Sequence, residues 1–315
     1  MSEQRMADLL TISALDEPEV EVTGGSDGTR RRLTKRRLYY RRFMRNRPAV
    51  LGAVVFLLLV LFALFGNLVN HHDYLETDFL NISTPPSADH WFGTNQAGND
   101  LYAQTVHGLQ RSLLIAVIVS VLTTIISALV GASAAYFGGM YERAWLIVIH
   151  FLMVVPTFLL LALLSNSSGG DWRVIALILT LTTWFYAART IWAMSLTLRG
   201  HDYVLSAKFM GVSGFRIVVR HVIPGLASLL ILQFTLGVVG TVMAETGLSF
   251  LGFGVKAPDV SLGSLISSGA DTVTSAPWLF YFPAAALTLL TISMALVADG
   301  LRDALDPTSA SGGHA

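Results

Sequence analysis

Apolar residues gather into six stretches, approximately 49–68, 112–137, 144–164, 174–198, 226–246 and 279–298, and most charged residues fall between them. Each stretch is about the twenty residues that a helix needs to cross a hydrocarbon core roughly 30 Å thick. The pattern therefore predicts an all-α polytopic membrane protein with six transmembrane helices. The second stretch has blurred ends, because Gly131 to Ala135 is a run of small residues suited to close helix packing. No soluble domain of useful size remains between the spans. Neither a fixed internal repeat nor the paired broken helices of an inverted-repeat transporter is evident.

The polar segments divide the rest of the chain. Residues 1–28 are acidic, Ser-, Thr- and Gly-rich and read as a disordered tail. From Arg30 to Arg47 there are ten Lys/Arg in eighteen residues, interleaved with Tyr39, Tyr40, Phe43 and Met44. Because this run abuts an apolar stretch, it reads as a juxtamembrane arm for anionic lipid and not as a nucleic-acid arm. A cleaved signal peptide does not fit an apolar segment that starts nearly fifty residues in and ends without an Ala-x-Ala site. The expected organisation is a cytoplasmic tail and arm (1–47), a first span with an extracytoplasmic loop (48–111), a five-helix core (112–307) and a C-terminal tail (308–315).

Charge fixes an expected orientation. With the basic arm inside, 17 Lys/Arg fall on the inner side, only Arg111, Arg173 and Lys256 fall outside, and Arg189 lies within the fourth stretch. The outer loop from Asn70 to Gln110 carries Asp73, Glu76, Asp78, Asp89 and Asp100 but no Lys or Arg. Cytoplasmic loops of membrane proteins are enriched in basic residues, so both termini are expected in the cytoplasm.

Composition changes the picture by exclusion. The chain of 315 residues is 53% apolar and 13% charged, about half the charged share of a soluble domain. Its mean hydropathy is +0.59. With no cysteine, disulfides, thiolate metal sites and thiol nucleophiles are excluded. None of the three lysines, Lys35, Lys208 and Lys256, follows a glycine, so there is no phosphate-gripping P-loop. HExxH, GxSxG and GxGxxG are absent too. No catalytic residue, cofactor or metal is expected, and any ATP used must be hydrolysed by a partner.

The inner loop from Arg199 to Pro224, RGHDYVLSAKFMGVSGFRIVVRHVIP, is too polar to span and too apolar for a plain linker. Asp202 can cap a short helix over Tyr203 to Met210, Gly211 can end it, a second short helix follows Ser213, and Pro224 opens the next span. Ala207 and Gly211, four apart, lie on one side of the first helix, where a partner's groove can approach the backbone. The spacing equally suits an interfacial amphipathic turn with no partner.

Ala207, Gly211 and Ile223-Pro224 are spaced as in the cytoplasmic EAA loop of ATP-binding-cassette importer permeases, which this segment resembles. Leu205 and Ser206 stand where that pattern has Glu and Ala, and His221 where it has Ile. RRFMRNRPAVLG from Arg41, HWFGTNQAGNDLYAQTVHG from His90, ETGLSFLGFGVKAPDVSLGSLISSGA from Glu245, PWLFYFP from Pro277 and DGLRDALDP from Asp299 are similar to a narrower branch, the C-type permease of oligopeptide, dipeptide and nickel importers. The resemblance covers roughly residues 41–307. It implies a type I importer permease fold in a bacterial plasma membrane. It further implies a B-type permease partner, two cytoplasmic ATPase subunits and an extracytoplasmic peptide-binding protein. Tyr203, Ala207, Lys208 and Gly211 would form the contact face for the ATPase, with Pro224 closing the loop. Oligopeptides or dipeptides are the implied cargo, with nickel, haem or glutathione as the alternatives within the family. A stand-alone channel or proton-coupled transporter fits less well, because the spans hold almost no ionisable residues for a relay.

Several polar residues remain open to two readings. Arg189 either lines the pathway or snorkels and pairs structurally. Glu245 either meets a substrate amine or caps the GLSFLG turn that follows it. The His71-His72-Asp73 run reads as a solvated loop end in preference to a metal site, since no further His is close in sequence. Trp91, Phe92, Trp172, Trp278, Phe280, Tyr281 and Phe282 read as interfacial anchors. Gly247, Gly252 and Gly254 read as the turn of a re-entrant element.

Overall fold

The computed structural model describes residues 35–167 and 169–305, so the expected tail at 1–28, the start of the basic arm and the 308–315 tail lie outside the described residues. Among the described residues the fold is helical and contains no strand longer than an isolated bridge.

Helix α1 (Lys35–Arg45) carries the basic arm, and α2 (Arg47–Val69) begins one residue later. Asn46 separates them by accepting a hydrogen bond from the Ala49 amide, with Pro48 in the first turn where its missing N–H costs nothing. The same side chain donates to Asp303 Oδ2 at 3.0 Å, fixing the start of α2 beside the end of the last helix, α12 (Trp278–Leu305). Small residues let these two helices close up: a Cβ on Gly52 would lie 2.7 Å from the Ser293 carbonyl.

Helix α3 runs without interruption from Leu101 to Phe137, starting well before the apolar stretch at 112. Asp100 caps it by accepting from the Ala103 amide at 2.8 Å. Its polar opening turns escape a hydropathy reading because Gln104, His107 and Arg111 all find protein partners. Farther along, α3 lies against α6 (Trp172–Leu198). Ser127 Oγ donates to the Trp184 carbonyl at 2.6 Å, and a Cβ on Gly131 would sit 2.5 Å from the Ala188 carbonyl. The blurred small-residue run is thus the seam of a close helix pair.

The third predicted span, 144–164, is not one helix. It divides into α4 (Gly139–Val154) and α5 (Thr157–Ser167), bent by 78°. Pro156 sits at the break, supplying no N–H and pushing Val155 out of helical geometry. Five helices, α2, α3, α6, α10 (Ala227–Phe250) and α12, are each long and apolar enough to cross a membrane, and the bent pair makes a sixth only if counted as one span.

Between α10 and α12 lies α11 (Leu262–Ala270), a short helix opened by a reciprocal Ser261–Ser264 capping box. The chain turns after α10 at Gly252, with φ of +80°, and at Gly254, where a side chain would collide with Ser249, whereas Gly247, expected in the same turn, lies within α10. One core cluster joins α2, α3, α10 and α12 through Leu59, Leu109, Val242 and Leu290. A second joins α3, α6 and α10 through Ile115, Leu179 and Leu248. Leucines 57, 58, 61, 64 and 68 on α2 stay exposed, as a lipid-facing surface requires. One end of the bundle carries residues 39–47 of the basic arm and residues 199–226, and the other carries the acidic segment 70–100. We call these the basic and acidic ends.

Candidate functional site

At the basic end, α6 gives way to α7 (Asp202–Phe209) and α8 (Gly214–Ile217), then a π-helical turn (Val218–Val222) and the short α9 (Ile223–Gly225). Arg199 ties the start of the loop to α3 by donating to the Ala135 carbonyl at 2.9 Å. Helix α7 has Asp202 in its first turn and Lys208 in its last, both favourable to the helix dipole. Its N-cap is His201, so Asp202 serves inside the first turn and not as the cap residue itself. The end is a Schellman closure: the Val212 amide donates to the Ala207 carbonyl at 3.1 Å and the Gly211 amide to Lys208 at 3.0 Å. Gly211, with φ of +78°, takes the left-handed conformation that this motif needs.

The expected contact face requires a correction. Ala207 is only 1% exposed and points into the protein, packed with Val204, Ile217, Val218 and Val222 against Ala128 and Ala132 of α3 and Ile191 of α6. Ala207 lies on the buried side of α7, and Gly211, left-handed beyond the helix's end, does not share that side. Tyr203 and Lys208 are exposed, as is Gly211. Pro224 is exposed within α9, and the next span starts beyond it, at Ala227. Phe209 (85% exposed), Met210 (75% exposed) and Phe215 form an apolar crown on the outward side. These three were not expected from the sequence. Their signal was present: Val204 and Ala207 share one stripe of an eight-residue helix, which sends Phe209 to the opposite one.

Deeper in the bundle a cavity of about 230 Å³ opens between α3, α6 and α10, lined among others by Thr124, Thr183, Tyr186, Gln233 and Thr241. Neither charged candidate for the pathway lines it. Arg189 is exposed on α6, one turn past Tyr186, and contacts His150 Nε2 of α4. Glu245 is 1% exposed and turned toward α11, accepting from Ser249 Oγ at 2.8 Å and Ser261 Oγ at 2.6 Å. Gly263 makes room for it, since a Cβ there would lie 2.8 Å from Glu245 Oε2. The carboxylate thus joins α10 to α11.

At the acidic end, Asp259 receives His107 Nε2 at 3.0 Å and Arg111 Nη2 at 2.7 Å, binding the 251–261 segment to α3. Partial burial pushes the Asp259 carboxyl upward, but hydrogen bonds from His107 and Arg111 outweigh this and hold it below the usual carboxylate range. His71 and Asp73 are exposed, as a solvated loop end should be. His72 is not: its ring stacks on His90 with centroids 4.5 Å apart.

Comparison with known proteins bears on this arrangement. Residues 125–310 match the family model described as binding-protein-dependent transport system inner membrane component. Residues 34–86 match the N-terminal TM domain of oligopeptide transport permease C. The oligopeptide transport system permease protein OppC of Mycobacterium tuberculosis is 44% identical over 280 residues, covering 88% of this chain and 96% of that protein. OppC of Bacillus subtilis is 34% identical over 266 residues, covering 84% of this chain and 87% of that protein. The dipeptide transport system permease protein DppC of Bacillus subtilis is 34% identical over 269 residues, covering 85% of this chain and 84% of that protein.

Proposed function

From the premise that this chain belongs to the binding-protein-dependent transport system inner membrane components, we propose that it is the C-type permease of an ATP-binding-cassette importer for oligopeptides or dipeptides. It is a multi-pass membrane protein and a transport component, not itself a catalyst. A B-type permease would complete the pathway, two ATPase subunits would supply the energy, and an extracytoplasmic binding protein would deliver peptide. The excess of Lys/Arg at the basic end supports placing that end, with both termini, in the cytoplasm.

The observation that carries the coupling role is the two-sidedness of α7. Its inner stripe, Val204 and Ala207, is buried against α3 and α6, while Phe209 and Met210 are exposed. An ATPase that seats this crown and then moves would displace α3 and α6 together. Those helices contribute Thr124, Thr183 and Tyr186 to the cavity, so the displacement would reshape the cavity's walls. Tight packing favours such rigid-body transmission over local give.

The test is isolation of the tagged chain from its native membrane. Two ATPase subunits and a second permease should accompany it, and isolation as a lone homo-oligomer would sink the reading. Uptake of labelled di- to pentapeptides and of nickel, in cells with and without the chain, decides the cargo. Loss of nickel uptake alone would remove the peptide assignment.

A further inference from the structure

The segment between α2 and α3 contains a group of ionisable side chains that the transport reading leaves unused. His72, Asp89 and His90 each offer a ligand atom, and these atoms all lie within 4.8 Å of one another. His72 Nε2 is 3.5 Å from Asp89 Oδ1, and His90 Nε2 is 4.0 Å from Asp89 Oδ2. Asp78 Oδ2 lies 3.5 Å from His90 Nε2.

An independent observation singles out His90. Its side chain is 3% exposed, and Nε2 has no hydrogen-bond partner among the described residues although it faces these carboxylates. A buried nitrogen left so is costly unless something occupies the space in front of it. The opposite nitrogen, Nδ1, is 2.9 Å from Oδ2 of the buried Asp100. With Nδ1 donating to that carboxylate, the lone pair is on Nε2 and directed into the cluster. This is the carboxylate–histidine relay that supports metal-bound imidazoles. Asp78 is held in turn by Asn81 Nδ2 at 2.7 Å.

We propose that His72, Asp89 and His90, completed by water, bind one borderline divalent cation, with Zn²⁺ the best match. Two imidazoles and a carboxylate suit Zn²⁺, whereas Ca²⁺ and Mg²⁺ favour shells of oxygen. Ligands about 2.0–2.1 Å from a tetrahedral Zn²⁺ lie roughly 3.4 Å apart. The 3.5 Å between His72 Nε2 and Asp89 Oδ1 already meets that geometry, and the exposed Asp89 can swing to shorten its 4.0 Å gap to His90. His72 follows the end of α2 and His90 precedes α3, so a bound ion clamps the two ends of the segment together. Asp100 conveys the clamp to the membrane helix, because its carboxylate also caps α3 and accepts from Asn70 Nδ2 at 3.0 Å. The role is structural and independent of which cargo is carried.

The test uses the full chain in nanodiscs, purified with a tag free of histidine and treated with EDTA. Titration with ZnCl₂ should give one ion per chain, and Co²⁺ should develop the visible absorption of a tetrahedral site. His72→Ala and Asp89→Asn alter side chains that are 22% and 75% exposed and should fold; each should weaken binding at least tenfold. His71→Ala, one position away and exposed, should bind as the parent does. Zn²⁺ should also raise the parent's melting temperature and leave that of His72→Ala unchanged. Binding that persists in both His72→Ala and Asp89→Asn, or no binding up to 100 micromolar free Zn²⁺, overturns the site.

Discussion

Arg111 and Asp259, 148 positions apart in the sequence, meet through two hydrogen bonds to a single carboxylate oxygen, from Nε at 3.0 Å and Nη2 at 2.7 Å. His107 donates to the same oxygen from one turn earlier on α3. A paired carboxylate with a depressed pKa adds stability above its unfolded value and loses it as pH falls through the folded one. This link should therefore hold at neutral pH and fail below about pH 4, near the ordinary carboxylate value. Melting curves in nanodiscs from pH 7 to 3 should show a steeper acid-side decline for the parent than for Asp259→Asn; equal declines would remove the linkage.

Gly211 has open space where a Cβ would project, so substitution there meets no clash. The left-handed backbone is the obstacle, costing a branched residue about 1–2 kcal/mol. Gly211→Val should loosen the end of α7, leaving ATP hydrolysis running without matching peptide uptake in reconstituted vesicles. Gly211→Asn should retain most uptake, because Asn tolerates that conformation.

The outward and inward sides of α7 should respond to substitution in opposite ways. Phe209→Ala together with Met210→Ala removes exposed side chains; the chain should melt normally yet fail to retain its ATPases on a column. Ala207→Leu overfills a packed site, at about 1–3 kcal/mol. It should lower the melting temperature before any effect on partner binding.

Glu245 accepts two short hydrogen bonds in a buried site. Glu245→Ala would leave Ser249 and Ser261 without this acceptor, and a buried polar group left unpaired costs about 1–3 kcal/mol. A lower melting temperature is expected, while relative uptake of cationic and neutral peptides stays the same. A change in that ratio without loss of stability would restore Glu245 to the pathway.

Much of the architecture was legible because hydropathy reports what lipid demands of a helix. The same property hid the first turns of α3, whose Gln104, His107 and Arg111 look solvent-bound until Asn95 and Asp259 are brought to them. The division of the third span turns on Pro156, whose effect a windowed apolar average smooths away. In the 199–224 loop, spacing located Gly211 correctly but could not say which stripe of α7 faces inward. That depends on Ala128, Ala132 and Ile191, more than fifty positions off in the case of α3. His90 was likewise seen only within a motif, because its pairing with His72 is made by folding.

Helix α3 has 37 residues, and at 1.5 Å of rise each it is about 55 Å long, nearly twice the hydrocarbon thickness. One rod therefore emerges from lipid into water at one end at least. Near Phe137 it meets Arg199 and Gly214 of the loop, and near Leu101 it meets Asp100 and, through Arg111, the 251–261 segment. A push or twist at the loop need not cross any joint to be felt at the far mouth. In mechanical terms α3 is a through-shaft, and the two ends of the bundle are geared to it.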